Sequence, residues 1–168
     1  MARECGSAVF SSCRKYRYLL TRVQTGGRGS CLFIMLNPSV ADACTDDPTV
    51  RRCSGFAGRW GYCQLEVVNL FGFMATRPEQ LRDANDPVGP DNDTHIIHAL
   101  ERADLVVAAW GNHGTLQGRS RFVMQVLHAT GRTVFNLGVN GSGEPVHPLY
   151  VPYGTPLLPI SLKSLVLR

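Results

Sequence analysis

A chain of 168 residues, 44% of them apolar, is long enough for one domain with a substantial core, and its composition excludes a disordered or fibrous protein. Its formal charge of +4, from 17 basic against 13 acidic residues, is modest beside dedicated polycations, and no run approaches the ~18 consecutive apolar residues of a membrane span. The opening residues MARECGSAVFSSCRKYRYLL lack the apolar block of a secretory signal, so the expected location is cytoplasmic, with no membrane partner.

Taken in chain order, YRYLLTRV (16–23) reads as a strand flanking a sheet edge, and GGRG (26–29) as a turn into an apolar strand over 31–36. Asp47-Pro48 opens a helix with an acidic cap and proline at its first position, and Val50, Cys53, Phe56, Ala57 and Trp60 share one face before Gly61 ends it. A strand over 65–71 follows, then an irregular stretch (72–90) with one short helix near 78–84. DPVGPDND (86–93) caps a helix whose buried face carries Ile96, Ile97, Leu100 and Ala103. A strand over 104–109 precedes a helix around 118–130 that buries Phe122, Val123, Val126 and Leu127. A strand over 133–137, the loop GVNGSGEP (138–145) and a proline-rich apolar tail from 152 complete the chain. Runs this apolar suit strands buried on both faces, so the expectation is a single domain over 1–168, an α/β/α sandwich of three layers with a four-stranded, mostly parallel core sheet.

The cysteines at 5, 13, 31, 44, 53 and 63 contain no C-x-x-C pair, and without a secretory signal ordinary reduced thiols are expected. Arginine outnumbers lysine 15 to 2, which suits phosphate contact but follows equally from a GC-rich genome. No dinucleotide fingerprint, Walker loop or H-E-x-x-H set occurs, so no cofactor and no metal are expected. The glycine-rich GVNGSG (138–143) opens no helix; a flexible loop competes with phosphate cradling there.

Ligands of parallel sheets bind beyond the carboxyl ends of the strands. The first core strand ends in Asn37-Pro38-Ser39, the second in Asn69 and Phe71, the third in Trp110-Gly111-Asn112-His113, and the fourth leads to His147-Pro148-Leu149-Tyr150. Asn37 either holds a water or base edge, or is a turn residue bonding its own backbone. Asn69 lies in an apolar strand, where a buried amide needs partners; it either stitches loops or faces a ligand such as a nucleobase edge. His147 either donates to a developing anion or is a surface loop residue. Asp42, Asp46 and Asp47 stand near Arg51 and Arg52, where capping and local ion pairs explain most of the pattern, with Asp46 within reach of the same cleft. His113 is placed at the pocket, and His95, His98 and His128 on helices as structural or exposed residues.

The segments MLNPSVADA, DDPTVRRC, WGY, VVNLF, DPVGPDND, VVAAWGNHG and HPLY, in that order over roughly residues 16–160, resemble the bacterial and phage family called domain of unknown function 1643. That family in turn resembles the uracil-DNA glycosylase superfamily. The resemblance implies a parallel sheet between helices and hydrolysis of an N-glycosidic bond after a base is flipped from the stack. Met35-Leu36-Asn37-Pro38-Ser39 matches the superfamily's Asn-Pro core without its flanking glycines, and His147-Pro148-Leu149 lacks the usual serine. By this resemblance Asn37 positions the water, His147 stabilises the departing base and Asn69 selects it. Pro38, Ser39, Phe71, Trp110, Asn112, His113, Pro148, Leu149 and Tyr150 line the substrate, with Leu149 or Tyr150 as a wedge in the stack and Asp46, Arg51 and Arg52 as additional candidates. The expected function is a DNA glycosylase-type hydrolase acting on an unusual, damaged or modified base, working as a monomer on single- or double-stranded DNA. A non-catalytic base or nucleotide binder, an enzyme on a free nucleoside or nucleotide, and a structural partner protein stand as the alternatives.

Overall fold

The apolar runs pair into one mixed sheet in the computed structural model, which describes residues 6–161. The strands are β1 (Ser7–Phe10), β2 (Arg17–Val23), β3 (Ser30–Met35), β4 (Gln64–Asn69), β5 (Leu105–Ala108), β6 (Phe135–Asn136) and β7 (Leu158–Pro159). Their spatial order is β1-β2-β4-β3-β5-β6-β7. β3 pairs in parallel with β4 on one side and β5 on the other, and β6 meets β5 through one parallel pair, Val107 with Phe135. β2 and β1 add antiparallel on one edge and β7 on the other.

The α/β class is as expected, and the seven-stranded sheet is wider than the four core strands and one flanking strand read from the sequence. β1 escaped notice because its SAVF alternates weakly at an edge. β7 lies in the proline-rich tail, whose backbone pairs only along one side. The expected strand over 133–137 shortens to two residues, because Gly138 turns the chain and its N–H donates to Asn136 Oδ1 at 2.7 Å. The tail beyond 161 and Cys5 lie outside the described residues.

Every residue of β3 is buried, with two cores on opposite faces. Cys31, Phe33 and Met35 pack toward α1 (Pro48–Arg59) through Val50, Cys53, Phe56 and Ala57. Leu32 and Ile34 pack toward α3 (Asn92–Arg102) and α4 (Arg119–Ala129) through Ile96, Leu100, Val123 and Leu127. A short α2 (Gln80–Asp83) seats Leu81 on that second side. Two helical faces are rotated from their expected phase. Ala99, not Ile97, joins Ile96 and Leu100, leaving Ile97 exposed, and Phe122 lies outside the Arg119–Val123–Leu127 stripe with the Arg119 guanidinium over its ring.

One irregularity matters for the site. Along β1 and β2, Ala8 faces Leu20 and Val9 faces Leu19, but Phe10 faces Arg17, so Tyr18 is an extra residue. Such a bulge reverses the side-chain alternation and re-aims its neighbour. Arg17 thereby turns toward the loop before α1, where Arg22 also points.

Cys13, Cys31, Cys53 and Cys63 are free, whereas Cys44 is disulfide-bonded, which corrects the expectation of ordinary thiols throughout. Burial pushes the Cys31 and Cys53 thiols well above their ordinary range, so they pack as small apolar groups. No described helix is long and apolar enough to cross a membrane.

Candidate functional site

A cleft of about 320 Å³ opens beyond the carboxyl ends of β3, β4 and β5, with the start of α1 and the turn after β6 as its walls. Leaving β3, the chain places Asn37 and Ser39 on the cleft and buries Pro38 behind them. Asn37 Nδ2 donates to the carbonyls of Ala75 at 2.8 Å and Pro38 at 3.0 Å. That commits the nitrogen and leaves Oδ1 with no donor among the described residues.

At the end of β4, Asn69 is 1% exposed and lines the cleft. Its backbone carbonyl and that of Leu70 accept from Asn92 Nδ2 at 2.9 and 3.2 Å. Its own side-chain Nδ2 is buried with no partner among the described residues. A buried donor without an acceptor costs about 1–3 kcal/mol, so this amide is an unmet donor at the wall of the cleft. Phe71, expected as a substrate contact, is instead fully buried in the core toward α3, two residues past the end of β4.

Beyond β5, Trp110 lines the cleft with its indole N–H donating to Glu144 Oε2. Gly111 follows at φ 76° and ψ −163°, a region open only to glycine, and its N–H donates to Pro145 O at 2.8 Å. This contact brings the β5 tip against the turn that carries His147. Asn112 and His113 stand exposed on the rim, Asn112 accepting from Asn140 Nδ2.

His147 opens a 3₁₀ turn (Pro148–Tyr150), and its Nδ1 accepts the Leu149 N–H at 3.3 Å. Burial lowers its pKa, with Asp47 pulling the other way. The ring is therefore neutral at pH 7 and carries its proton on Nε2. Leu149 and Tyr150 line the lip, Tyr150 at 83% exposure, whereas Pro148 is buried.

Three charged candidates lie outside the cleft. Arg22 Nε donates to Asp46 Oδ1 at 2.7 Å in a mostly buried ion pair, so Asp46 supports the loop and does not line the site. Arg51 is exposed and donates to Asp46 O at 2.8 Å. Arg52 donates to the carbonyls of Pro148 and Val151 and stacks on Tyr153, centroid distance 3.8 Å. It acts on the site by clamping the His147 turn to α1.

The two charged residues of the lining, Asp47 and Arg17, are not among the site residues read from the sequence. Asp47 caps α1, its Oδ1 accepting the Val50 N–H at 2.8 Å, and its carboxylate also lines the cleft. The cap was legible, and its consequence follows: a helix entered from the end of β3 presents its first turn to the sheet's carboxyl edge. Arg17 left no signal, because a bulge decides where it points. It is 2% exposed and donates from Nη1 to Ala41 O at 2.6 Å, while its Nε is buried without an acceptor. Burial brings its pKa down to about 10, with Asp47 and Asp42 opposing and Arg22 assisting, so it stays charged at pH 7.

The glycine-rich loop is no phosphate cradle in this form: the N–H groups of Ser142 and Glu144 both donate to Asn140 Oδ1 at 3.0 Å. Among the described residues no group of three or more His, Cys, Asp or Glu is placed to hold a metal ion. The cleft thus joins an amide acceptor, an unmet amide donor, a neutral imidazole N–H, a carboxylate and a buried guanidinium. Side chains of these kinds are, as chemical groups, able to hold a water, take up a proton and donate to an anion.

Residues 17–149 match the family described as "Protein of unknown function (DUF1643)". No curated protein and no solved structure gave a match.

Proposed function

The chain belongs to this family, whose description assigns no activity, and from the site itself we propose that it is a glycosylase-type hydrolase that cleaves the N-glycosidic bond of an unusual, damaged or modified base in DNA. The observation that carries the reading is the unpartnered, buried amide of Asn69, a residue that lines one cleft with Asn37 and His147. A base carbonyl supplies the acceptor this amide lacks. The parallel pairing of β3 with β4 and β5, continued by β6, and helices on both faces support a uracil-DNA glycosylase-like fold as the scaffold.

On this reading the base enters the cleft flipped from its stack. Asn37 Oδ1 accepts from the attacking water and aims its lone pair at the sugar C1′. The bond from C1′ to the base nitrogen breaks, and its electron pair leaves with the base as an anion. His147, neutral and protonated on Nε2, donates to that anion, an interaction that strengthens as charge develops. The water's proton passes to the Asp47 carboxylate, which the cap bond to Val50 N–H holds in place. Products are the free base, protonated from solvent, and an abasic sugar. Tyr150 at the lip occupies the vacated stack.

The test is cleavage of labelled single- and double-stranded oligonucleotides carrying uracil, mismatched thymine, hypoxanthine or enlarged pyrimidines, with abasic sites revealed by alkali. Cleavage of one substrate, lost in Asn37→Ala and His147→Ala, establishes the reading. Thermal stabilisation by bases without cleavage of any substrate overturns it in favour of a binding protein.

A further inference from the structure

Among the described residues three arginines are buried: Arg17, Arg22 and Arg119, at 2%, 8% and 6% exposure. A buried charge is costly unless it is paired. Arg22 is paired with Asp46 and Arg119 with Asp93. Arg17 has no carboxylate within ion-pair distance among the described residues, and only one of its guanidinium nitrogens finds an acceptor, the Ala41 carbonyl. Arg17 lines the cleft. It sits beside the end of β4, since its backbone N–H donates to Gly72 O at 3.0 Å, three residues past Asn69. The bulge at Tyr18 turns it there, and an undistorted strand would have sent it to the other face.

We infer that Arg17 is an anion subsite of this cleft, taking a phosphate group of the nucleotide whose base rests on Asn69. The inference rests on the proposed base-binding reading for its second half only; the anion subsite follows from Arg17 itself. A guanidinium fork bonds two phosphate oxygens at once, which matches an arginine with donors to spare and a fixed orientation. Asp47 faces the same space and Asp42 lies further out, and both attract Arg17 without contacting it. Asp47 Oδ1 is held by the α1 cap, so the carboxylate keeps its place when an anion enters. Phosphate contact at Arg17 also sets the register of the sugar between Asn37 and Asn69, the kind of positioning a remote group gives a reacting bond.

The experiment is calorimetric titration of the full chain with inorganic phosphate, deoxyuridine, deoxyuridine 5′-monophosphate and a short deoxyuridine-containing oligonucleotide. In parallel, the Arg17 Nε–H resonance is followed by nitrogen-15 NMR as inorganic phosphate is added. The expected result is a saturable shift of that resonance, and a gain of about tenfold or more in affinity when the phosphate is present on the nucleoside. Arg17→Met removes the gain, and Arg17→Lys keeps part of it. A gain confined to the monophosphate assigns a terminal phosphate, and one confined to the oligonucleotide assigns a phosphodiester; either supports the subsite. No shift of the resonance by phosphate in the wild type overturns it, whether or not the variants fold. An equal gain in a folded Arg17→Met does the same. Base release from oligonucleotides is scored separately: cleavage without phosphate dependence removes the subsite and leaves the glycosylase reading, and phosphate binding without cleavage does the reverse.

Discussion

At the scale of single residues, the cleft trades stability for recognition. Asn69 Nδ2 is buried and unpaired, so replacing it with leucine, of similar size, removes an unmet donor. The expected outcome in thermal denaturation is a variant as stable as the wild type or up to about 1 kcal/mol more stable, with base binding abolished. A loss above ~2 kcal/mol would show instead that the amide stitches loops together. His147 makes a second prediction. Its folded pKa is lowered by burial below the ordinary histidine value, so the unfolded chain binds a proton more readily than the native one. The stability this group contributes is then fully present above the unfolded pKa of about 6.5 and is lost as pH falls through the folded value. His95, lowered chiefly by burial as well, acts in the same direction. A stability profile of His147→Gln against wild type therefore isolates the first contribution. The variant falls less steeply below about pH 6.5, and identical slopes would show that His147 is not held neutral.

At the scale of elements, two contacts decide whether the tips of the strands make a site. Asp47 is both the cap of α1 and the carboxylate in the cleft, and substitution separates the two roles. Asp47→Ala loses the cap and costs about 1 kcal/mol, whereas asparagine caps about as well as aspartate. Asp47→Asn is therefore expected to denature with the wild type while turnover falls by about a hundredfold or more, the range for a lost general base. Equal activity in Asp47→Asn would reduce Asp47 to a structural cap. Arg52 plays the complementary part for the turn after β6, bonding the Pro148 and Val151 carbonyls from α1. Arg52→Ala is expected to weaken substrate affinity and slow turnover together through a displaced His147. Arg52→Lys, lacking the fork that spans two carbonyls, recovers little of either. Full recovery with lysine would mean that charge alone, and not the clamp, is at stake.

At the scale of the whole molecule, what was legible in the sequence is what local chemistry determines. Strands β3, β4 and β5 are legible as apolar runs, and the polar ends of β3 and β4, with the turn after β6, give Asn37, Asn69 and His147 as neighbours of one cleft. Phe71 was misplaced because a residue two beyond a strand end has already turned into the core. Arg17 was invisible because a single inserted residue, detectable only in the pairing of β1 with β2, sets the side it faces. The same distinction applies to the arginines on the surface. Fifteen arginines in a chain of net charge +4 say little by number, but Arg77 is exposed and directly follows Thr76, which lines the cleft. On the DNA reading, such a residue contacts backbone phosphate, and its contribution is sequence-independent and salt-dependent. Oligonucleotide affinity is expected to fall linearly with the logarithm of salt concentration, and Arg77→Gln to reduce that slope by about 1 while leaving base preference unchanged. Arg132, which donates to the Leu100 and Ala103 carbonyls at the end of α3, is a structural arginine, and its neutral variant serves as the control that should leave the slope alone. If neither variant alters the slope, the phosphate that matters is the one inside the cleft, and the surface charge of this protein has no part in holding a strand.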